Sequence, residues 1–322
     1  MKLALALVAV ALLVERPAAE PVAQIPFTMT GYHAFVEVEL NDRTLSFVFD
    51  SGGGGVGLNR ASARRLGLEA TGSGPVTGAG GAIQVPLVSG LALRVGQLRL
   101  AGVIAALVEL GHLEEVVGRP VDGIIGRDVL DGRLVVLDND RQVLEVHEER
   151  SFPFEQWGEP CALKRSGPLE VPGQIRLLSG EILAGLFHVD SGAASFLNLN
   201  SVFVDTHGLA ERAGDLYPRK GRGLTGVTIT DQVGAVASVE FCGYEFPSTE
   251  ARRFHATVPV LLSGATAGVL GRSGPAGLIG NAILSRFNLV FDLERDRMFL
   301  KPVPGVVGKP RVEHLLDLGV VA

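Results

Sequence analysis

Three short motifs recur in the same order in the two halves of this 322-residue sequence. The copies are FVFDSG at 47–52 and FHVDSG at 187–192, GIIGRDVL at 123–130 and GLIGNAIL at 277–284, and apolar runs broken by an acidic turn from Leu134 and from Leu289. Asp50 precedes Gly126 by 76 residues, and Asp190 precedes Gly280 by 90. A solenoid needs several repeats of roughly 20 to 50 residues, so this single long repeat predicts two similar lobes related by a pseudo-twofold axis.

The repeat and the composition of the ends set the predicted domain boundaries. They are a signal peptide at 1–23, a first lobe at 24–150, a linker at 151–160, a second lobe at 161–303 and a C-terminal tail at 304–322. The names "first half" and "second half" are used below for residues 24–150 and 161–303.

The N-terminus has the order of a secretory signal peptide: a positive charge at Lys2, an apolar run from Leu3 to Val14, and a small-residue segment. Ala19 and Ala23 are both imperfect cleavage positions. The segment therefore predicts a secreted or periplasmic protein. Two alternatives are an uncleaved membrane anchor, although a span takes about 20 apolar residues, and a buried core segment.

Composition favours an all-β fold. Apolar residues make up 47% of the chain, which also has 42 glycines and 17 prolines, and this pattern predicts short strands joined by tight turns. The strands predicted in the first lobe are 34–40, 45–49, 83–88, 91–95, 103–107 and 134–137, and the short helices are 60–66 and 127–130. The net charge of −6, without any basic run, argues against a nucleic-acid partner.

Cys161 and Cys242 are the two cysteines of the chain. They could form one disulfide in an oxidising compartment, or remain two separate buried thiols, and sequence alone does not decide between these. Two cysteines so far apart do not make a zinc site. We predict no metal and no cofactor.

Asp50 and Asp190 are the candidate catalytic residues. A single Asp-Ser-Gly is usually only a turn, but here each copy ends an apolar strand, where burial perturbs a carboxylate. Two carboxylates brought together cannot both ionise easily, so one keeps a proton and the pair supplies a general acid and a general base. The alternative, a dinucleotide site at GGGGVG (52–57), lacks the following strand with its acidic residue.

The paired motifs resemble the retropepsin-like branch of the aspartic proteases, with both halves fused into one pepsin-like molecule. This resemblance covers most of residues 31–303 and implies an all-β, bilobal fold of two barrel-like lobes, with Asp50 and Asp190 meeting in the cleft. It implies supporting roles in the active-site loops for Ser51, Gly52, Ser191 and Gly192. It also implies that the Gly-rich segment around Gly78, Ala79, Gly80 and Gly81 is a flap over the substrate, whereas residues 224–229 match a second flap only loosely.

The activity implied by the resemblance is endopeptidase hydrolysis of extended polypeptides by a water activated between the two aspartates. We expect a monomer, with membrane association only if the N-terminal segment is uncleaved. A catalytically silent peptide- or protein-binding module on the same fold is the alternative, since fold does not fix function. Because Gly53 and Ala193 offer no side-chain donors to the carboxylates, we expect raised pKa values and a mildly acidic to neutral optimum.

Overall fold

The computed structural model describes residues 20–165, 167–247 and 257–305. Most of the predicted signal peptide (1–19) and of the C-terminal tail (306–322) lies outside these residues, whereas Ala23 opens the first strand. No helix among the described residues has the length and apolar character needed to cross a membrane.

The described residues are mostly β. In chain order the strands are β1 Ala23–Thr30, β2 His33–Leu40, β3 Arg43–Phe49, β4 Val56–Asn59, β5 Gly72–Gly78, β6 Gly81–Val95, β7 Leu98–Val108, β8 Gly123–Ile125, β9 Leu134–Asp138, β10 Val143–His147, β11 Cys161–Ala162, β12 Lys164–Arg165, β13 Leu169–Arg176, β14 Ile182–Asp190, β15 Leu197–Leu199, β16 Tyr217–Arg222, β17 Thr228–Val236, β18 Ser238–Phe241, β19 Tyr244–Phe246, β20 Val258–Leu262, β21 Gly277–Gly280, β22 Phe287–Asp292 and β23 Arg297–Pro302. The α-helices are α1 Arg60–Arg65, α2 Gly111–Val117, α3 Arg127–Leu130, α4 Ser201–Thr206 and α5 Asn281–Leu284.

Two sheets contain these strands. The larger has the order β11-β23-β22-β9-β10-β1-β2-β3-β8-β4-β7-β6-β5, and the other has the order β16-β17-β20-β15-β21-β14-β13-β18-β19, with β12 beside β13. The two halves of the chain meet where β9 pairs antiparallel with β22, with Leu137 opposite Leu289. The acidic-turn segments of the sequence repeat therefore join the halves through one continuous hydrogen-bonded sheet.

Parallel strand pairs position the Asp-Ser-Gly motifs. β3 pairs with β8, with Val48 beside Ile124, and β14 pairs with β21, with His188 beside Leu278. Successive side chains of a strand point to opposite faces, so Phe47 and Phe49 enter the main core while Val48 enters a smaller cluster. Burial on both faces explains why FVFDSG reads as a continuous apolar run before its aspartate.

The predicted elements of the first half agree with the structure apart from a few differences. The segments 83–88 and 91–95 form one long strand, β6, whose register against β7 shifts between Val88 and Leu91. Gly90 has φ +78° at this irregularity. In the sequence, a glycine at this position indicates a break between two strands, whereas in the structure it lies in a bulge within one strand. Helix α2 was not predicted, since seven residues are too few to show a helical period.

A disulfide links Cys161 to Cys242. Cys161 begins β11, which follows the predicted linker and pairs with β23. Cys242 lies in the turn between β18 and β19, with a positive φ of +50°. The bond therefore fastens the start of the second half to its own outer strands, and it resolves the two possibilities left open by the sequence.

Candidate active site

Asp50 and Asp190 occupy the same position in the two parallel strand pairs. Asp50 directly follows β3, and its N–H donates to the carbonyl of Ile125 in β8 at 2.9 Å. Asp190 is the last residue of β14 and lies beside Gly280 of β21. The structure thus brings together two carboxylates that are 140 residues apart in the chain, and both residues are partly exposed to solvent.

Each carboxylate accepts two backbone hydrogen bonds from its own loop. Oδ1 of Asp50 accepts from the N–H groups of Gly52 at 2.9 Å and Gly53 at 3.0 Å. Oδ1 of Asp190 accepts from Gly192 at 3.0 Å and Ala193 at 2.9 Å. One oxygen of each group is therefore fixed by the backbone, and the two side chains also hydrogen-bond to each other.

Ser51 and Ser191 tie the two loops together. The N–H of Ser51 donates to Oγ of Ser191 at 2.9 Å, and the N–H of Ser191 donates to Oγ of Ser51 at 3.0 Å. The Ser51 hydroxyl donates to the carbonyl of Val189 at 2.9 Å, and the Ser191 hydroxyl donates to that of Phe49 at 3.4 Å. Both serines are buried, so this exchange fixes the distance between the two aspartate loops.

Glycine is required where each loop meets the opposite aspartate. A Cβ on Gly52 would lie 2.8 Å from Cγ of Asp190, and a Cβ on Gly192 would lie 2.3 Å from Cγ of Asp50. Contacts below 3.0 Å are not tolerated by real Cβ atoms. Any side chain at either position would therefore push the two carboxylates apart.

Gly126 and Gly280 allow the supporting strands to pass beneath the loops. A Cβ on Gly126 would lie 2.0 Å from the carbonyl oxygen of Asp50, and one on Gly280 would lie 2.1 Å from that of Ser195. Gly126 thus contacts the first motif directly, and in the second half Gly280 pairs with Asp190 of that motif. This contact explains why the sequence repeats them as a set.

The protein raises the pKa of both aspartates. For Asp50 the main cause is burial, partly offset by hydrogen bonds from Asp190 and from loop N–H groups, which lower its pKa. For Asp190 burial again dominates, and the negative charge of Asp50 raises its pKa further. The two carboxyl groups therefore titrate as one coupled pair that shares a proton. The direction of both shifts agrees with the sequence-based hypothesis, although burial is the principal cause.

The segment that contains Gly78, Ala79, Gly80 and Gly81 is the tip of a β-hairpin. Gly78 pairs with Gly81 at the end of β5 and β6, so that Ala79 and Gly80 form the turn. Ala79 packs with an apolar cluster that includes Ala193, the residue after the second Asp-Ser-Gly. The hairpin therefore reaches across to the second half and lies close to the loop of Asp190.

A second hairpin, β16–β17, reaches toward the first from the other side. Its tip, residues 223–227, follows the pairing of Arg222 with Thr228. A Cβ on Gly80 would lie 2.7 Å from Ile229, and one on Gly78 would lie 3.0 Å from Thr225. The loose sequence match at 224–229 thus falls on this tip and the start of its second strand, and the two hairpins are in contact.

Two histidines near the site have roles that the sequence did not reveal. His33 is buried at the start of β2, and burial lowers its pKa although the backbone groups of Gly31, Thr30 and Gly192 favour its charged form. His188, two residues before Asp190 on β14, contacts Glu170 and Arg272. The register of β2 and β13 places Pro168 where the first half has His33.

Arg127 follows the first supporting strand and pairs with Asp131, with a Nη2–Oδ1 distance of 2.6 Å. Its Nη1 also donates to the carbonyl of Gly167 at 3.2 Å. Asp131 and the Gly167 carbonyl are therefore the observed partners of the Arg127 guanidinium. Within the described residues, no group of three or more His, Cys, Asp or Glu side chains is arranged to hold a metal ion.

Comparison with known proteins bears on the first half. No curated protein sequence matches the chain significantly. A family model described as aspartyl protease matches residues 36–129, from β2 to α3, a range that contains Asp50 and the GIIGRDV segment. Over these residues the chain is similar to the aspartyl proteases.

Proposed function

We propose that this protein is an aspartic endopeptidase of bilobal, pepsin-like architecture, in which two pseudo-twofold-related lobes each contribute one catalytic aspartate. The observation that carries the proposal is the Asp50–Asp190 pair. Its carboxylates hydrogen-bond to each other, have raised pKa values, and are held by two loops that exchange serine hydrogen bonds. A pair sharing one proton is suited to acid–base hydrolysis without a covalent intermediate.

In the proposed mechanism, one aspartate of the pair is the base and the other is the acid. The ionised member of the pair takes a proton from a water that attacks the peptide carbonyl carbon, while the protonated member gives its proton to the carbonyl oxygen. Breakdown of the tetrahedral intermediate then breaks the C–N bond as a proton passes to the leaving nitrogen. The backbone N–H groups on Oδ1 of each aspartate fix the orientation of both carboxyl groups throughout.

The substrate in this proposal is an extended polypeptide between the aspartate loops and the two hairpin tips. An extended chain satisfies its backbone hydrogen bonds as an added strand, and an apolar cluster packs against both the hairpin tip at Ala79 and the Asp190 loop at Ala193. We further propose that the protein acts outside the cytoplasm as a monomer. The Cys161–Cys242 disulfide supports an oxidising compartment, as does the signal-like N-terminus.

The decisive experiment is cleavage of casein across a range of pH by the mature chain and by Asp50→Asn and Asp190→Asn variants. We expect both substitutions to abolish cleavage. Asp205→Asn is the matched control, since Asp205 is exposed on α4, and it should retain full activity. Cleavage that survives either active-site substitution would refute the shared-carboxylate mechanism. A folded wild-type chain that binds peptides and cleaves none would support the silent binding module instead, which no structural observation favours.

A further inference from the structure

The tip of the β5–β6 hairpin is fastened to a loop of the second half. The N–H of Val269 donates to the carbonyl of Gly78 at 3.0 Å, and the N–H of Leu270 donates to that of Ala79 at 3.0 Å. Gly268 lies so close that a Cβ there would be 2.4 Å from the Gly78 carbonyl oxygen. Residues 268–272 are called the docking loop below.

The docked tip packs beside the Asp190 loop. Ala79 packs in one apolar cluster with Leu270, Leu278 and Ala193, and Ala193 donates its N–H to Asp190. A polypeptide lying along the aspartate loops would have to pass between the hairpin tip and this cluster. For the substrate path of the proposed function, the docked hairpin and a bound substrate therefore compete for the same side of the cleft.

Buried polar contacts hold the docking loop in place. The side-chain amide of Asn200 donates to the carbonyls of Val269 at 3.1 Å and Arg272 at 3.4 Å. The N–H of Ser201 donates to the Leu270 carbonyl at 2.9 Å. Asn200 is fully buried and precedes α4, so the backbone of the loop is attached to a rigid helix start.

Arg272 attaches the end of the docking loop to the strands below Asp190. Its Nη2 lies 3.4 Å from Oε1 of Glu170 and 3.4 Å from Nε2 of His188. Glu170 and His188 are each 2% exposed and lie side by side on β13 and β14. A buried carboxylate needs such a cationic partner.

This charged anchor is absent from the first half. The corresponding register positions on β2 and β3 are Phe35 and Val48, and both lie in an apolar cluster. Arg119 lies with its guanidinium 4.2 Å from the centre of the Phe35 ring and donates to Thr28 and Ser46. The anchor is therefore present on the side where the hairpin tip docks.

We propose that Arg272 and Asn200 are positioning residues that hold the docking loop against the hairpin, so that the strength of this anchor sets how readily the cleft opens to substrate. The proposal rests on the proposed function for its kinetic consequence. If only the undocked form binds substrate, the apparent affinity is lowered by the fraction of molecules that are undocked. Weakening the anchor then lowers KM and leaves kcat unchanged, because the docking contacts are already broken in the complex.

The test compares Arg272→Ala with wild type in two measurements on the full mature chain. Hydrogen exchange followed by mass spectrometry should show faster exchange in peptides covering 78–81 and 268–272. Cleavage kinetics should show KM lowered by roughly three- to tenfold at constant kcat. Arg272→Lys, which keeps the charge, should restore most of the wild-type KM. Arg119→Ala is the matched control and should change neither measurement.

Gly268→Ala provides an independent variant if Arg272→Ala does not fold. It alters the contact with the hairpin directly, at a partly exposed position with φ +76°, and should likewise speed exchange at the tip and lower KM. Unchanged exchange in the variants would overturn the docking role, whether or not the protein cleaves peptides. Faster exchange with an unchanged or higher KM would overturn the competition with substrate. If wild type cleaves nothing, the proposed function fails, while the exchange data still decide whether the anchor holds the hairpin.

Discussion

Replacing Ser51 with alanine tests whether the serine exchange holds the two aspartate loops together. The Ser51 hydroxyl accepts from the Ser191 N–H at 3.0 Å and donates to the Val189 carbonyl at 2.9 Å. Both bonds are buried, so the substitution leaves a donor and an acceptor without partners and without water. At about 1–3 kcal/mol for each unsatisfied buried group, we expect a loss of about 3 kcal/mol in the free energy of unfolding.

The same reasoning ranks the variants. Ser191→Ala should cost less, about 2 kcal/mol, because the bond from the Ser191 hydroxyl to Phe49 is long at 3.4 Å. Ser151→Ala deletes the same atom at an exposed site and should change stability by less than about 0.5 kcal/mol. Urea unfolding measures the stability of all three variants. Casein cleavage should fall at least tenfold for Ser51→Ala and stay unchanged for Ser151→Ala. A Ser51→Ala protein as stable as Ser151→Ala would refute the reasoning.

Three further predictions concern the dyad, the disulfide and a buried carboxylate. The folded-state pKa of Asp190 is raised, so the stability of the folded protein is not reduced by this group at low pH and falls as pH rises through that pKa. Asp190→Asn should therefore raise the free energy of unfolding at pH 7. Urea unfolding should show that this gain vanishes near pH 4. Replacing Cys161 and Cys242, which are 81 residues apart, with alanine should lower the unfolding free energy by about 4 kcal/mol, and an unchanged urea midpoint would contradict this. Asp122 is buried and accepts from Arg65 at 2.6 Å, so Asp122→Ala should cost about 2–4 kcal/mol and Asp122→Asn less, as thermal unfolding would show.

The sequence could predict that the two aspartates meet, because the same pair of motifs occurs once in each half of the chain. Each copy of Asp-Ser-Gly ends an apolar strand, and each has its supporting glycine segment at a similar distance. The requirement for Gly126 and Gly280 is steric and local, so it leaves a mark in the sequence. Helix α3, which directly follows the GIIG motif, was predicted with its observed bounds.

Contacts between dissimilar segments could not be anticipated. Gly78 meets Val269 through backbone groups alone, and such groups carry no residue signature. The Glu170–His188–Arg272 contacts depend on the register of β13 against β14 and on the path of a long loop. The sequence could not decide whether the disulfide forms, because this depends on the distance between the two Cα atoms. In the structure that distance is 5.0 Å.

The two halves belong to one chain, and the pairing of β9 with β22 joins them in one sheet. In a symmetric dimer a mutation in one half appears at once in the other, because both sides of the site are encoded by one stretch of gene. Here each side is encoded separately, and the two sides differ: Phe35 and Val48 on one side correspond in register to Glu170 and His188 on the other. A site made of two unequal halves has a direction, so the proposed polypeptide substrate would meet different side chains when it runs one way through the site than when it runs the other way.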